Sequence, residues 1–220
     1  MIVSTNNVSR ITLGETEIVK VYLGENIVFK KPVLVDINGV EYYQKNYIHV
    51  SNNQRYDTTY KPNGNCSWEV KVYFSTGGNG YQHILGGQYS YNNRAFGIVC
   101  QSNTIRIAYA NEVITKSESF QGKTYTIKAD KNDIYLNGEL LGSATYSSSS
   151  QSSRTFSVGH MNGSVYRSEG NVYHCKYWDN DTLALDLVPA QRISDSVWGF
   201  FNLVDLTFHA SNGGTAFTGG

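Results

Sequence analysis

The chain has 220 residues, which suffices for one large domain with a small appendage but is short for two full domains. Its 18 basic and 18 acidic residues leave no net charge, so neither a nucleic-acid partner nor attraction to an anionic membrane is predicted. No apolar run is long enough for membrane insertion, and the first residues do not resemble a secretory signal. Tyrosine and glycine are frequent, at 17 and 21 residues, which favours an all-β protein with many tight turns.

The first predicted element is an internal repeat within residues 11–30. Leu13-Gly14-Glu15 recurs ten residues later as Leu23-Gly24-Glu25, and each unit is predicted to form two strands around its Gly-Glu turn. Such ribbons cannot bury a core alone, so their apolar side chains need cover from the main domain, another copy of the chain or another protein. The residues expected to serve attachment or oligomerisation are Ile11, Leu13, Leu23, Val28 and Phe29.

A domain boundary is predicted at Lys31-Pro32, because proline does not extend a central strand. Residues 1–32 then form an N-terminal β-ribbon segment, and residues 33–220 form the main domain. Within the main domain, Trp68, Val70, Val72 and Phe74 alternate with polar residues, which is typical of a half-buried strand. The same alternation predicts inward positions for Phe96, Ile98, Cys100, Ile105, Ile107, Tyr109, Tyr125, Ile127 and Ala129.

Two turn signals separate apolar runs farther along the chain. Asn137-Gly138 favours a two-residue hairpin, since both residues tolerate positive φ, and Asp179-Asn180-Asp181 marks a similar turn. No segment has a long helical period. Short strands with regular turn signals predict an antiparallel sandwich or barrel with very little helix.

The three cysteines, Cys66, Cys100 and Cys175, are an odd number at wide spacing. We predict buried, reduced thiols without a disulfide and without a metal-binding role.

The sequence lacks several residue patterns that are typical of enzyme active sites. Glucanases of sandwich folds need three carboxylates on alternate residues of one strand; Glu15 and Glu17 share that spacing, but they lie in the N-terminal repeat and no third carboxylate follows. The five histidines form no H-x-x-x-H pair, and no nucleophile elbow or P-loop is present. We therefore predict a protein that is not an enzyme and has no cofactor. We interpret Asp179 and Asp181 as residues of a plain hairpin turn. The weaker alternative is that their carboxylates bind a calcium ion.

The best candidate for ligand binding is a polar and aromatic stretch of residues 81–94. Sugars are bound by aromatic faces and by amide or guanidinium donors. The candidate carbohydrate-binding residues are Tyr81, His83, Tyr89, Tyr91, Asn92 and Arg94. Two alternatives remain open: these residues decorate a hairpin in a tyrosine-rich protein, or they lie at a subunit interface, where tyrosine is enriched.

Several segments of the main domain resemble the concanavalin A-like, laminin G-type jelly-roll domains of bacteriophage proteins. Tyr56–Asn63 resembles their entry segment, and Asn171–Asn180 resembles their penultimate strand and turn. Leu185–Arg192 is similar to their D-hydrophobic-hydrophobic-P-x-x-R stretch, and Trp198–Asp205 with the glycine-rich tail resembles their closing segment. The resemblance covers residues 33–220, and the Leu-Gly-Glu ribbons are similar to leader repeats of phage baseplate and fibre proteins.

The resemblance implies a two-sheet antiparallel jelly-roll sandwich, location in the virion and, in many members, recognition of carbohydrate. We accordingly expect a fibre or surface-decoration protein that binds host-surface glycans for host attachment and also contacts other virion proteins. The rival expectation is a purely structural virion protein that contacts only other virion proteins. Phage fibres are commonly threefold, so a homotrimer organised by the N-terminal ribbons is expected.

Overall fold

The computed structural model describes residues 11–220, apart from 14–15, 19, 24–25, 31–32, 53, 76–80, 91–93, 102, 110–111, 146–151 and 162–167. For the remaining residues of 11–30, and for 81, 88–90 and 94–95, it describes the backbone only. The described residues form strands and turns and include no helix, so they contain no helix that could cross a bilayer. The predicted all-β class is confirmed.

The strands follow one another in short steps along the chain. The first eleven are β1 (Ile11–Leu13), β2 (Thr16–Ile18), β3 (Lys20–Leu23), β4 (Asn26–Lys30), β5 (Val33–Val35), β6 (Glu41–Gln44), β7 (Ile48–Asn52), β8 (Tyr56–Asp57), β9 (Ser67–Phe74), β10 (Tyr81–Ser90) and β11 (Arg94–Gln101). The other eleven are β12 (Thr104–Tyr109), β13 (Glu112–Ser117), β14 (Thr124–Asp130), β15 (Asp133–Leu136), β16 (Glu139–Ser143), β17 (Ser157–Val158), β18 (Ser168–Asp179), β19 (Thr182–Arg192), β20 (Trp198–Asn202), β21 (Thr207–Ala210) and β22 (Thr218–Gly219).

Two antiparallel sheets make up the main domain. The smaller sheet has the order β13-β12-β11-β10-β17-β8. The larger sheet has the order β16-β15-β14-β9-β18-β19-β20-β21. In addition, β7 pairs with the first part of β18 and carries β22 on its other edge, and β6 pairs with the end of β19 and carries β5 on its other edge. The predicted two-sheet antiparallel sandwich is therefore confirmed.

The main core lies between the two sheets and consists of the side chains that the period-two pattern places inward. Trp68, Val70, Val72 and Phe74 on β9 have no solvent exposure, which confirms the predicted register. The other predicted inward residues of β11, β12 and β14 are also buried in this core. Each of these strands has one apolar and one polar face. The second sheet packs against the apolar faces and shields them from water.

Both predicted turns are present. Asn137 and Gly138 have φ values of 52° and 86° and connect β15 to β16, with Leu136 paired to Glu139. Asn180 and Asp181 have φ values of 48° and 66° and connect β18 to β19. Positive φ at both central residues is the requirement of the tight hairpin turn that matches strand twist.

A side sheet, defined here as β5, β6, the end of β19, β20 and β21, extends from the larger sheet. β19 pairs with β18 as far as Leu187, pairs with β20 from Leu187 to Gln191, and pairs with β6 from Ala190 to Arg192. One face of the side sheet contributes Leu187 and Phe200 to the main core. Its other face carries a second, smaller core of Tyr42, Val188, Ala190 and Phe201.

Pro189 lies inside β19 without the usual loss of a ladder hydrogen bond. β18 pairs with β19 up to Leu187, and β6 begins to pair at Ala190, so Pro189 occupies the gap between these two neighbours on one edge. Its carbonyl still accepts a hydrogen bond from the Lys45 amide at 2.8 Å. Proline is tolerated here because the position needs no donor.

The three cysteines are buried free thiols. Burial raises the pKa of the Cys66 thiol to about 12, and it raises the pKa values of Cys100 and Cys175 in the same direction. All three are therefore protonated at neutral pH and pack as small apolar side chains.

Gln82 is an unusual member of the core. It lies directly opposite Cys100 in the β10–β11 register, so its side chain shares the inward face, and it is 1% exposed. Neither its amide nitrogen nor its amide oxygen has a hydrogen-bond partner among the residues that the structure describes. A buried amide without a partner lacks the hydrogen bonds that water gave it in the unfolded chain, which destabilises the fold.

Replacing Gln82 with methionine is expected to stabilise the protein by about 1–2 kcal/mol, because the volume is kept while the unpaired amide is removed. Gln82→Glu serves as the opposite control and is expected to destabilise, since it places a carboxyl group in the same apolar site. Urea unfolding of the three proteins measures both effects. A methionine variant less stable than the parent would show that Gln82 has partners in solution.

His83, the next residue, is 7% exposed, and burial together with His160 and Arg106 lowers its pKa to about 4. The unfolded chain therefore binds a proton at this residue between about pH 6.5 and 4, while the folded chain does not. Folding stability should fall as the pH drops through this window, by about 3 kcal/mol at pH 4. In urea titrations between pH 7 and 4, His83→Gln should lose less folding stability than the parent protein. If the stability of both proteins fell equally with pH, the pH dependence would not come from His83.

Candidate functional site

The outer face of the larger sheet carries a row of charges of alternating sign. Glu69 on β9 lies between Lys128 on β14 and Lys176 on β18, because both residues are its direct neighbours in the register. Asp186 on β19 lies opposite Lys176 and continues the row. Four neighbouring strands thus place Lys128, Glu69, Lys176 and Asp186 side by side on one surface.

A groove of about 240 Å³ opens at the β14 end of this row. It is lined by Glu69, Thr126, Lys128, Tyr135 and Gly138. Thr126 and Lys128 are alternate residues of β14, so both point to the outer face, and Lys128 lies opposite Tyr135 of β15. The groove therefore combines an aromatic ring, an ammonium group, a carboxylate and a hydroxyl group.

Lys128 is held in place from two sides. Its Nζ donates a hydrogen bond to Asp130 Oδ2 at 2.7 Å and lies 5.8 Å from the centroid of the Tyr135 ring. Ser67 Oγ donates to Asp130 Oδ1 at 3.3 Å. The hydrogen bond to Lys128 lowers the pKa of Asp130, and the same bond raises the pKa of Lys128. The ammonium group is consequently charged and oriented beside the ring.

The Asn137-Gly138 turn forms the end wall of the groove and is fixed to β14. The Asn137 amide donates to the Thr126 carbonyl at 2.7 Å, and the Thr126 amide donates to Asn137 Oδ1 at 2.9 Å. Two bonds between one pair of residues restrain both the turn and the Thr126 position. The absence of a side chain at Gly138 keeps this end of the groove open.

Beyond the groove, the same face contains three further polar contacts. His174 Nε2 lies 2.6 Å from Asp186 Oδ1, and Lys176 Nζ lies 3.5 Å from the other Asp186 oxygen. His49 Nδ1 lies 2.9 Å from Asn171 Oδ1 on the neighbouring strand. His174 therefore belongs to the polar outer surface, as the alternation of β18 predicts.

The groove has the chemistry that a sugar ring requires. An aromatic side chain offers a flat surface for the C–H groups of a sugar, and the ammonium, carboxylate and hydroxyl groups offer donors and acceptors for its hydroxyls. The neighbouring row extends this polar surface across β9, β18 and β19. A linear glycan longer than one residue would find further hydrogen-bonding groups along it.

The sequence-predicted carbohydrate site lies elsewhere. Tyr81, His83 and Tyr89 fall on β10, and Arg94 begins β11, both in the smaller sheet, whereas the groove belongs to the larger sheet. Tyr91 and Asn92 lie outside the described residues, and the side chains of Tyr81, Tyr89 and Arg94 are likewise not described. His83 is buried, with 7% of its surface exposed.

The predicted attachment residues lie on the N-terminal ribbons. Ile11 and Leu13 are on β1, Leu23 is on β3, and Val28 and Phe29 are on β4. β1 pairs with β2 and β3 pairs with β4, each in antiparallel register around a Gly-Glu pair. The strand pattern expected from the repeat is therefore present, while the side chains lie outside the described part.

Asp179 and Asp181, the candidate calcium ligands, make contacts with other side chains of the protein. Lys131 Nζ lies 2.9 Å from Asp181 Oδ1, and Asn180 Nδ2 donates to Asp179 Oδ1 at 3.1 Å. Within the ranges that the structure describes, no cluster of three or more His, Cys, Asp or Glu residues could hold a metal ion.

A scan against protein-family models and a search of curated proteins both give no match for this chain.

Proposed function

We propose that the chain is a structural protein of a bacteriophage virion, of the fibre or surface-decoration type, whose sandwich domain binds host-surface glycans. The observation that carries the proposal is the groove at Tyr135, where an aromatic ring stands beside the charged and oriented Lys128 and the carboxylate of Glu69. The proposed location in the virion is supported by the resemblance of residues 33–220 to phage jelly-roll domains of the concanavalin A-like type.

Binding at a single groove is weak in this proposal. A site of about 240 Å³ on an open sheet face covers only part of a glycan, so each contact contributes little. A homotrimer joined through the N-terminal ribbons, present in many copies on a particle, raises the overall affinity by making later contacts intramolecular. The chain itself performs no catalysis, which agrees with the missing carboxylate triad.

The second candidate is a purely structural virion protein that contacts only other virion proteins. Exposed apolar side chains in the side sheet, including Ile37 and Leu206, favour protein contacts over glycan contacts at that surface. The two candidates differ in whether the outer face of the larger sheet binds any polysaccharide.

A glycan array containing O-antigen chains, capsular polysaccharides and wall teichoic acids, probed with the intact labelled chain, tests the glycan proposal. We expect selective binding that Tyr135→Ala and Lys128→Ala each reduce about tenfold, corresponding to about 1.4 kcal/mol per site. Tyr173→Ala is the matched control, because Tyr173 lies on the larger sheet near Tyr47 and Lys71 but outside the groove, and it should bind normally.

Absence of binding to every glycan would favour the purely structural candidate. If all three variants still bound the glycan, the protein would be a lectin whose binding site lies outside the groove. Release of reducing sugar from a bound glycan would contradict the absence of catalysis.

A further inference from the structure

The exposed large apolar side chains are concentrated in one region of the side sheet. Six of the eight such residues in the described part of the chain lie in or beside its strands and turns. We call these six the apolar rim: Val35, Ile37, Ile193, Leu203, Val204 and Leu206. The other two are Val113 on β13, an edge strand of the smaller sheet, and Leu140 on β16, at the end of the larger sheet opposite to β21.

Backbone hydrogen bonds join the segments that carry the apolar rim. The Ile37 amide donates to the Leu206 carbonyl at 3.1 Å, which links the β5–β6 turn to the β20–β21 turn. The Ile193 amide donates to the Glu41 carbonyl at 3.1 Å, which links the end of β19 to the start of β6. These bonds place Ile37 beside Leu206, and they place Ile193 beside Glu41, which is paired with Val35.

The most exposed residue of the rim is held in a defined position. Ile37 is 67% exposed and sits in a turn organised by Asp36, whose Oδ1 accepts hydrogen bonds from the amides of Asn38 and Val40. Tyr42 Oη donates to the other Asp36 oxygen at 2.8 Å. A restrained turn that presents a large apolar side chain to water is prepared to bind a partner at small entropic cost.

An open strand edge adjoins the apolar rim. β5 pairs with β6 along one edge, and no other strand is hydrogen-bonded to it within the described residues. The unpaired backbone groups of such an edge accept a further strand, while Val35 and Ile37 offer apolar contacts beside it. The surface therefore suits a partner that is itself made of β-strands.

The N-terminal ribbons are a β-strand partner that every copy of the chain carries. β4 ends at Lys30 and β5 begins at Val33, so the ribbon of each copy leaves the domain within about 11 Å of this edge. The ribbon residues Ile11, Leu13, Leu23, Val28 and Phe29 need cover, as a lone two-stranded ribbon is marginal in water.

The ribbon of the same copy is poorly suited to extend its own β5 edge. Pairing β4 with β5 would require a two-residue hairpin at Lys31-Pro32, and both favoured hairpin turns need positive φ at the first of these residues. A residue before proline is restricted to negative φ in the extended region, so Lys31 resists that turn. A neighbouring copy has no such constraint, and the zero net charge means that copies do not repel one another.

We propose that the apolar rim and the open edge of β5 are the surface on which the N-terminal ribbon of a second copy of this chain docks. The inference rests on the proposed homo-oligomer and names the part of the sandwich that it uses. Ribbon-to-rim contact joins two different surfaces, and such contacts close into rings such as a trimer. Exposed apolar side chains grouped in this way mark interaction sites on protein surfaces.

Sedimentation velocity of the full chain, at several concentrations, tests the proposal. We expect the parent protein to be oligomeric and the double variant Ile37→Glu, Leu206→Glu to dissociate at least tenfold more readily, because buried carboxylates oppose the contact. Leu140→Glu is the matched control, as Leu140 is 59% exposed on β16, far along the larger sheet from the rim, and it should remain oligomeric. Both replaced rim residues lie in exposed turns, and thermal unfolding confirms that each variant is folded.

The possible outcomes separate the two proposals. A monomeric parent protein would overturn both the homo-oligomer and the role of the rim. An oligomer that survives the double variant would overturn the role of the rim alone. Dissociation by Leu140→Glu to the same extent would also overturn it, because added charge anywhere on the surface would then explain the effect.

Discussion

The fold depends on the pairing of one long strand, β18, with neighbours along both of its edges. β9 runs along one edge, while β7 pairs with the first part of the other edge and β19 pairs with its second part. Val172, Cys175 and Tyr177 of β18 are all fully buried in the main core. β19 continues into the side sheet, and it therefore connects the main core to the smaller core of Tyr42 and Phe201. The groove beside β9 and the apolar rim beyond β19 are thus positioned relative to each other by β18.

Much of this arrangement is predictable from local patterns. The inward set Trp68, Val70, Val72 and Phe74 follows from a period of two, and the Asn137-Gly138 turn follows from the tolerance of both residues for positive φ. The alternation also assigns Glu69 and Lys128 to an outer face. These features are local because each depends on residues that are near neighbours in the sequence.

The groove and the rim are not predictable in this way, because both depend on strand register between distant residues. Glu69, Lys128 and Tyr135 meet only once β9, β14 and β15 are aligned. Ile37 and Leu206 are single apolar residues in polar turns, and they form one surface only through a hydrogen bond between residues 169 positions apart. The tyrosine-rich stretch around Tyr89 is a stronger local signal of ligand binding, but it does not show which side chains lie next to one another in space. His83, a polar residue of this stretch, is buried, so polarity alone does not predict exposure.

We expect β18 and β19 to join the main sandwich and the side sheet into one cooperative unit. Native-state amide hydrogen exchange on the full chain, followed at increasing denaturant, measures whether the two parts open together. The protected amides of β6 and β20 should exchange with the same free energy of opening as those of β9 and β18. A side sheet that opens at distinctly lower free energy, while β9 and β18 remain protected, would contradict it.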